Sequence, residues 1–146
     1  MHRRLYALTF AALASLAAHA QNTGVLGDWR EPGGSILRVH ACGQDLCMQV
    51  MTLRPDTPHF DTHNPDPSKR TQPLCGLDIG SGFRPEGETK AVEGHIYDPQ
   101  SGHMYHGEMH SAGDSLHLRG YILFPALGRT EKWQRVPALA AACHDR

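Results

Sequence analysis

Three runs of alternating apolar and polar residues, joined by two short turn signals, lie between Ala91 and Leu123. They constrain the fold more than any other part of the chain. Pro99-Gln100-Ser101-Gly102 reads as a four-residue turn that sets Asp98 opposite His103. Ile96 then faces Tyr105, Gly94 faces Gly107 and Val92 faces Met109. Ala112-Gly113 reads as a two-residue turn that sets Met109 opposite Leu116, Gly107 opposite Leu118 and Tyr105 opposite Gly120. Side chains alternate faces along a strand. One face therefore collects Val92, Gly94, Ile96, Tyr105, Gly107, Met109, Leu116, Leu118 and Gly120. The other collects Glu93, His95, Tyr97, Met104, His106, Glu108, His110, His117 and Arg119. A one-residue slip at either turn would mix the two sets.

Further strands are expected over Ser35–Ala41, Leu46–Leu53, Leu77–Phe83 and Arg129–Val136. Strands at this spacing, with turn signals between them, indicate an antiparallel barrel or sandwich. The 15 Gly and 10 Pro all follow residue 20. Each would cost a helix interior about 1 and 3 kcal/mol respectively, which excludes a helix bundle. The three glycines on the apolar face remove side-chain volume, and a small closed barrel either fills its interior or holds one small ligand. The expectation is a cavity lined by Val92, Ile96, Tyr105, Met109, Leu116 and Leu118. The alternative is a bulky side chain occupying the glycine gap. Arg54–Pro73 carries five prolines and is expected to be a structureless loop near the mouth. Ala138–Cys143 is expected to form one helical turn.

Residues 1–20 have a positive start, a short apolar run and Ala18-His19-Ala20, the pattern of a secretory signal peptide cleaved after Ala20. Gln21 in place of a cysteine argues against a lipid-anchored product. No apolar run reaches the ~20 residues of a membrane span. The organisation expected is a signal at 1–20, one β-barrel domain at 21–136 and a tail at 137–146, in a periplasmic or secreted protein. In an oxidising compartment Cys42, Cys47, Cys75 and Cys143 read as disulfides. Four cysteines allow three pairings. The closeness of Cys42 and Cys47 favours their pairing, leaving Cys75 with Cys143. In the chain-entropy model these bridges are worth ~2 and ~4 kcal/mol. Zinc ligation is the alternative, but Cys75 and Cys143 lack the close partners of structural zinc sites.

Signatures of chemistry are sparse. Without residues 1–20 the net charge is about −3, which offers no basic footprint for nucleic acid. On the polar face His95, His106 and Glu108 are spaced to share a metal ion, against an ion-paired surface with no ligand. Asp61, Asn64 and Asp66 fail the EF-hand pattern because Pro65 and Asp66 stand at its fifth and sixth positions. Gly80-Ser81-Gly82 lacks the nucleophile-elbow pattern. No enzyme activity and no cofactor are expected.

Several motifs occur together: Gly27-Asp28-Trp29, Asp61-Thr62-His63-Asn64-Pro65-Asp66, Arg70 to Leu77, Gly94 to Pro99, Gly102 to Tyr105, Arg119-Gly120-Tyr121 and Leu127 to Thr130 with Trp133 and Arg135. In this order they resemble the bacterial exported proteins grouped as domain of unknown function 2147, from Gly24 to about Val136. The resemblance implies a small all-β lipocalin-like (calycin) barrel and no established activity. It also implies that Trp29 closes the barrel floor beneath Arg135 or Arg129. Asp61, Asn64 and Arg70 would shape the long loop through an Asp61–Arg70 contact. By analogy of fold, the function implied is uptake of a small apolar ligand, lipid- or fatty-acid-like, in the periplasm. The alternatives are a packed barrel serving the cell envelope as a structural or protein-interaction component, and a metal-binding protein.

Overall fold

The computed structural model describes residues 24–143. Eight antiparallel strands follow one another around a closed barrel: β1 Gly27–Arg30, β2 Ile36–Cys42, β3 Asp45–Thr52, β4 Asp78–Pro85, β5 Lys90–Asp98, β6 His103–Ala112, β7 Ser115–Tyr121 and β8 Arg129–Val136. The last strand pairs with the first, Trp29 opposite Arg135, so no sheet edge remains. Seven of these strands were expected. The eighth, β1, is four residues long and too short to show alternation. The expected signal peptide lies outside the described residues. Among those described, no helix is long and apolar enough to cross a membrane.

Up-and-down topology gives the barrel two unlike ends. The turns β2–β3, β4–β5 and β6–β7 lie at the floor with the start of β1 and the end of β8. The other four connections surround the mouth.

The β5–β6 register matches expectation from Gly94↔Gly107 to Asp98↔His103, but it changes beyond Gly94. Ala91 pairs with Met109, so β5 spends one extra residue there. This is a β-bulge, with Glu93 at φ 61° and bonded to Arg84 (3.0 Å). The bulge turns Ala91 inward in place of Val92, which pairs with Arg84. The β6–β7 turn also differs. Ala112 pairs with Ser115, so the turn is Gly113-Asp114, with Gly113 at φ 59° where alanine would be strained. Moving the turn by one residue moves the pairing by two, so each residue keeps its face. Across the polar face Glu108 therefore meets Arg119, His110 meets His117 and His106 meets Tyr121.

Two of the three inward glycines do not open space. A side-chain carbon at Gly94 would overlap the Phe83 ring, and one at Gly107 would strike Ile96 and Phe83. Phe83 is fully buried and fills the gap, as the alternative reading held. With Trp29, Met109 and Leu116 it packs the lower half of the barrel.

Both expected disulfides form, Cys42–Cys47 and Cys75–Cys143. No helical turn forms at Ala138–Cys143. So short a helix is marginal in water, and the tail's backbone is bonded to the barrel instead. Leu139 N–H donates to Asp28 (2.7 Å), Arg38 donates to the Leu139 carbonyl, and Cys143 N–H donates to Met51 (2.7 Å). Asp28 is buried. Burial alone would raise its pKa, but the Arg38 guanidinium and the Leu139 amide outweigh that and hold it below the ordinary carboxylate range.

Candidate functional site

Strand alternation puts Leu37, Met48, Val50, Ile96, Leu118 and Trp133 inside the upper half of the barrel. There they surround a cavity of about 790 Å³. This lies within the about 300–1,000 Å³ typical of small-molecule pockets. Its lower boundary is the packed core around Phe83. Below that, Trp29 is fully buried, with Nε1 donating to the Val25 carbonyl (2.8 Å). The Arg135 guanidinium lies 4.0 Å from the Trp29 ring centroid and donates to the carbonyls of Gly24 and Leu26 (2.6 and 3.0 Å). Burial pulls the Arg135 pKa down, and Asp114 opposes the shift. The floor is thus closed by an indole under a cation, a contact worth about 0.5–2 kcal/mol. Arg129, the other residue considered for this place, lines the cavity at the opposite end.

The expected lining separates into three groups. Ile96, Tyr105 and Leu118 face the cavity. Met109 and Leu116 point inward too, but lie in the packed lower core. Val92 is turned out of the lining by the bulge. Strand parity alone does not report depth along the barrel axis, so it could not separate the first two groups. The lining contributed by β2, β3 and the β7–β8 loop was not anticipated. The apolar alternation of Leu37 and Val39 against Met48 and Val50 was the available signal for the first two.

The mouth is ringed by the β5–β6 turn, the β7–β8 loop and the Pro-rich loop. The loop is ordered by its own hydrogen bonds, contrary to the structureless expectation. Asp61 is fully buried and accepts from Asn64 Nδ2 (2.6 Å), Gln72 Nε2 (3.0 Å) and the Tyr97 hydroxyl (2.6 Å). Pro67–Lys69 forms a single 3₁₀ turn capped by Asp66, with proline at the first position, where its missing N–H costs nothing. The expected Asp61–Arg70 contact does not form. The Asp61 oxygens are taken by three donors, and Arg70 Nε donates to the Asn64 carbonyl (2.8 Å). Burial by itself raises the Asp61 pKa, but the bonds from Asn64, Tyr97 and Gln72 outweigh it and hold the carboxyl low. Burial and the Asp61 charge push the Tyr97 hydroxyl up. Tyr97 also lines the cavity, so this network fixes one wall of the entrance.

A stability contribution with a definite pH window follows. Asp28 and Asp61 have depressed folded-state pKa values. Their contribution is full above the ordinary value of about 3.9 and is lost as pH falls through the lower folded values. Thermal midpoints should therefore fall steeply below about pH 4. Asp61→Asn should start lower by about 1–3 kcal/mol and show a shallower acid slope. An unchanged slope would refute the role given to this carboxylate.

Beside the cavity, a recess of about 160 Å³ shares Thr57, Leu74, Pro99 and Gln100 with it. Arg54 Nε and Thr57 Oγ1 are buried without hydrogen-bond partners at this entrance. Inside the mouth, Glu131 accepts from Trp133 Nε1 (2.9 Å).

On the outer face His95 and His106 lie with ring centroids 5.2 Å apart, and His110 stacks on His117 at 4.7 Å. Glu108 faces Arg119. Among the described residues no group of three His, Cys, Asp or Glu side chains is close enough to hold a metal ion.

A family model described as an uncharacterized protein conserved in bacteria, DUF2147, matches residues 27–135. A solved structure of protein HP1028 from Helicobacter pylori, described as belonging to the lipocalin family, matches with a TM-score of 0.71. The identity is 17%, over 77% of this chain and 82% of that one. At that identity the likeness establishes a lipocalin-like fold. No curated protein matches the chain.

Proposed function

The chain belongs to the bacterial family DUF2147, and from that premise we propose that it binds one small apolar molecule, lipid- or fatty-acid-like, in its barrel. It acts as a carrier without catalysis, outside the cytoplasm. The observation that carries this reading is the cavity of about 790 Å³, bounded below by the packed core and open at the mouth. Its deep walls are aliphatic and aromatic, so an apolar chain that enters leaves water at about 25 cal/mol per Å² buried. The unpartnered donors at Arg54 and Thr57 suit a polar head at the entrance. A barrel serving as a filled scaffold would need side chains in this upper space. Two disulfides accord with an oxidising compartment.

Titration with a fluorescent fatty acid, alongside mass spectrometry of natively extracted protein, tests the reading. The expected result is saturable binding near one probe per chain, displaced by unlabelled fatty acid. Failure to bind the probe, together with the absence of any co-purifying apolar molecule, would overturn it.

A further inference from the structure

Seven large apolar side chains stand exposed among the described residues, and six of them belong to the mouth end. Phe60 is on the long loop, and Met104 follows the β5–β6 turn. Ile122, Leu123, Phe124 and Leu127 crowd the β7–β8 loop at 67, 73, 63 and 78% exposure. Only Leu26 lies at the floor. Scattered exposed leucines need no explanation, but a cluster at one end does.

The loop is held in place rather than left loose. Arg119 Nε donates to the Pro125 carbonyl (2.7 Å) and Nη1 donates to Thr130 (2.8 Å), while Pro125–Leu127 forms a 3₁₀ turn. These bonds fix the base of the loop and the turn at its tip. From Arg119 to Arg129 the chain carries two arginines and no acidic residue. Three acids line the cavity: Glu31 accepts from the Gly33 and Ser35 N–H groups, Glu131 bonds Trp133, and Asp98 accepts from Gln100 N–H and Ser101 in its own turn. Tyr121 and both arginines stand at the loop's base and the aliphatic and aromatic tip lies beyond them. This is the order in which an interfacial segment meets headgroups and acyl chains.

We infer that the β7–β8 loop docks the barrel mouth onto a lipid bilayer, with Ile122, Leu123, Phe124 and Leu127 entering the acyl boundary and Arg129 meeting anionic headgroups. A bilayer suits this surface better than a protein groove because the rim and the cavity are continuous. Ile122, Leu123 and Leu127 line the entrance as well as facing outward, so docking would put the cavity against the acyl phase. Docking stands on the exposed surface alone. Passage of cargo between bilayer and barrel rests on the ligand-binding reading.

Vesicle flotation of the chain lacking residues 1–20 tests the inference, using phosphatidylcholine vesicles with and without phosphatidylglycerol. The protein is expected to float with the mixed vesicles, and less at high salt. Phe124→Asp with Ala126→Asp, two exposed positions outside the cavity lining, should cut the bound fraction by at least about tenfold. Arg129→Gln should weaken binding to the anionic vesicles alone. Absence of flotation by the unmodified protein would overturn the inference, as would flotation indifferent to the loop substitutions. So would a soluble dimer that the loop substitutions dissolve while vesicles bind nothing, since the rim would then be a protein contact. Fatty-acid titration of the Phe124→Asp, Ala126→Asp variant without vesicles separates the two readings, because docking can fail while uptake persists.

Discussion

Gly120→Phe is expected to lower affinity for a fluorescent fatty acid by at least about tenfold, or 1.4 kcal/mol, without loss of the fold. Gly120 lines the cavity, and a side-chain carbon there meets nothing nearer than the His106 carbonyl oxygen at 4.0 Å. A benzyl group therefore has room to enter, and it occupies the volume assigned to the ligand. Gly94→Ala is the control. Its methyl group would overlap the buried Phe83 ring, in a region without free space. Overpacking of this kind should cost about 1–3 kcal/mol of stability while leaving the affinity of the folded fraction unchanged. Probe titration and denaturant unfolding on both variants give the comparison. Equal affinity for Gly120→Phe and the parent would place the ligand outside the barrel.

Trp29→Ala is expected to lose about 3–5 kcal/mol of folding stability. The indole is fully buried, its N–H is bonded to Val25, and its face carries the Arg135 guanidinium. Truncation leaves a void in the floor and an arginine without its ring. A loss of that size is a large fraction of the about 5–15 kcal/mol that holds a typical domain together. Denaturant unfolding with both disulfides intact measures it. Trp29→Phe keeps most of the volume and should recover much of the loss, whereas a near-neutral Trp29→Ala would show that the floor is sealed by other side chains.

The strand pattern was legible because one face of each strand is apolar and the alternation has a period of two. That period protected the reading even where a detail failed. The β6–β7 turn lies one residue beyond Ala112-Gly113, yet Met109, Leu116 and Leu118 keep their inward face. The bulge at Val92-Glu93 was not legible. It breaks the period with an ordinary glutamate at φ 61°, held by an ion pair to a residue nine positions away. In the Pro-rich loop, Asp61 and Asn64 were singled out, but Arg70 was named as the partner of Asp61 in place of Gln72 and Tyr97. Asn64, Gln72 and Tyr97 meet at its carboxylate only when the loop folds against β5.

By itself the sequence determined the all-β class, the inward and outward faces of the central strands outside the bulge, the close Cys42–Cys47 pair and the presence of a loop at the mouth. These follow from local rules: alternation, turn chemistry, proline geometry and loop length. Only the tertiary structure decided where the barrel is full and where it is hollow. Gly94, Gly107 and Gly120 look alike along the chain. Phe83 reaches across from β4 to the first two, and no side chain reaches the third. Volume at an interior point is set by side chains from several strands at once, and no pattern along one strand reports their sum.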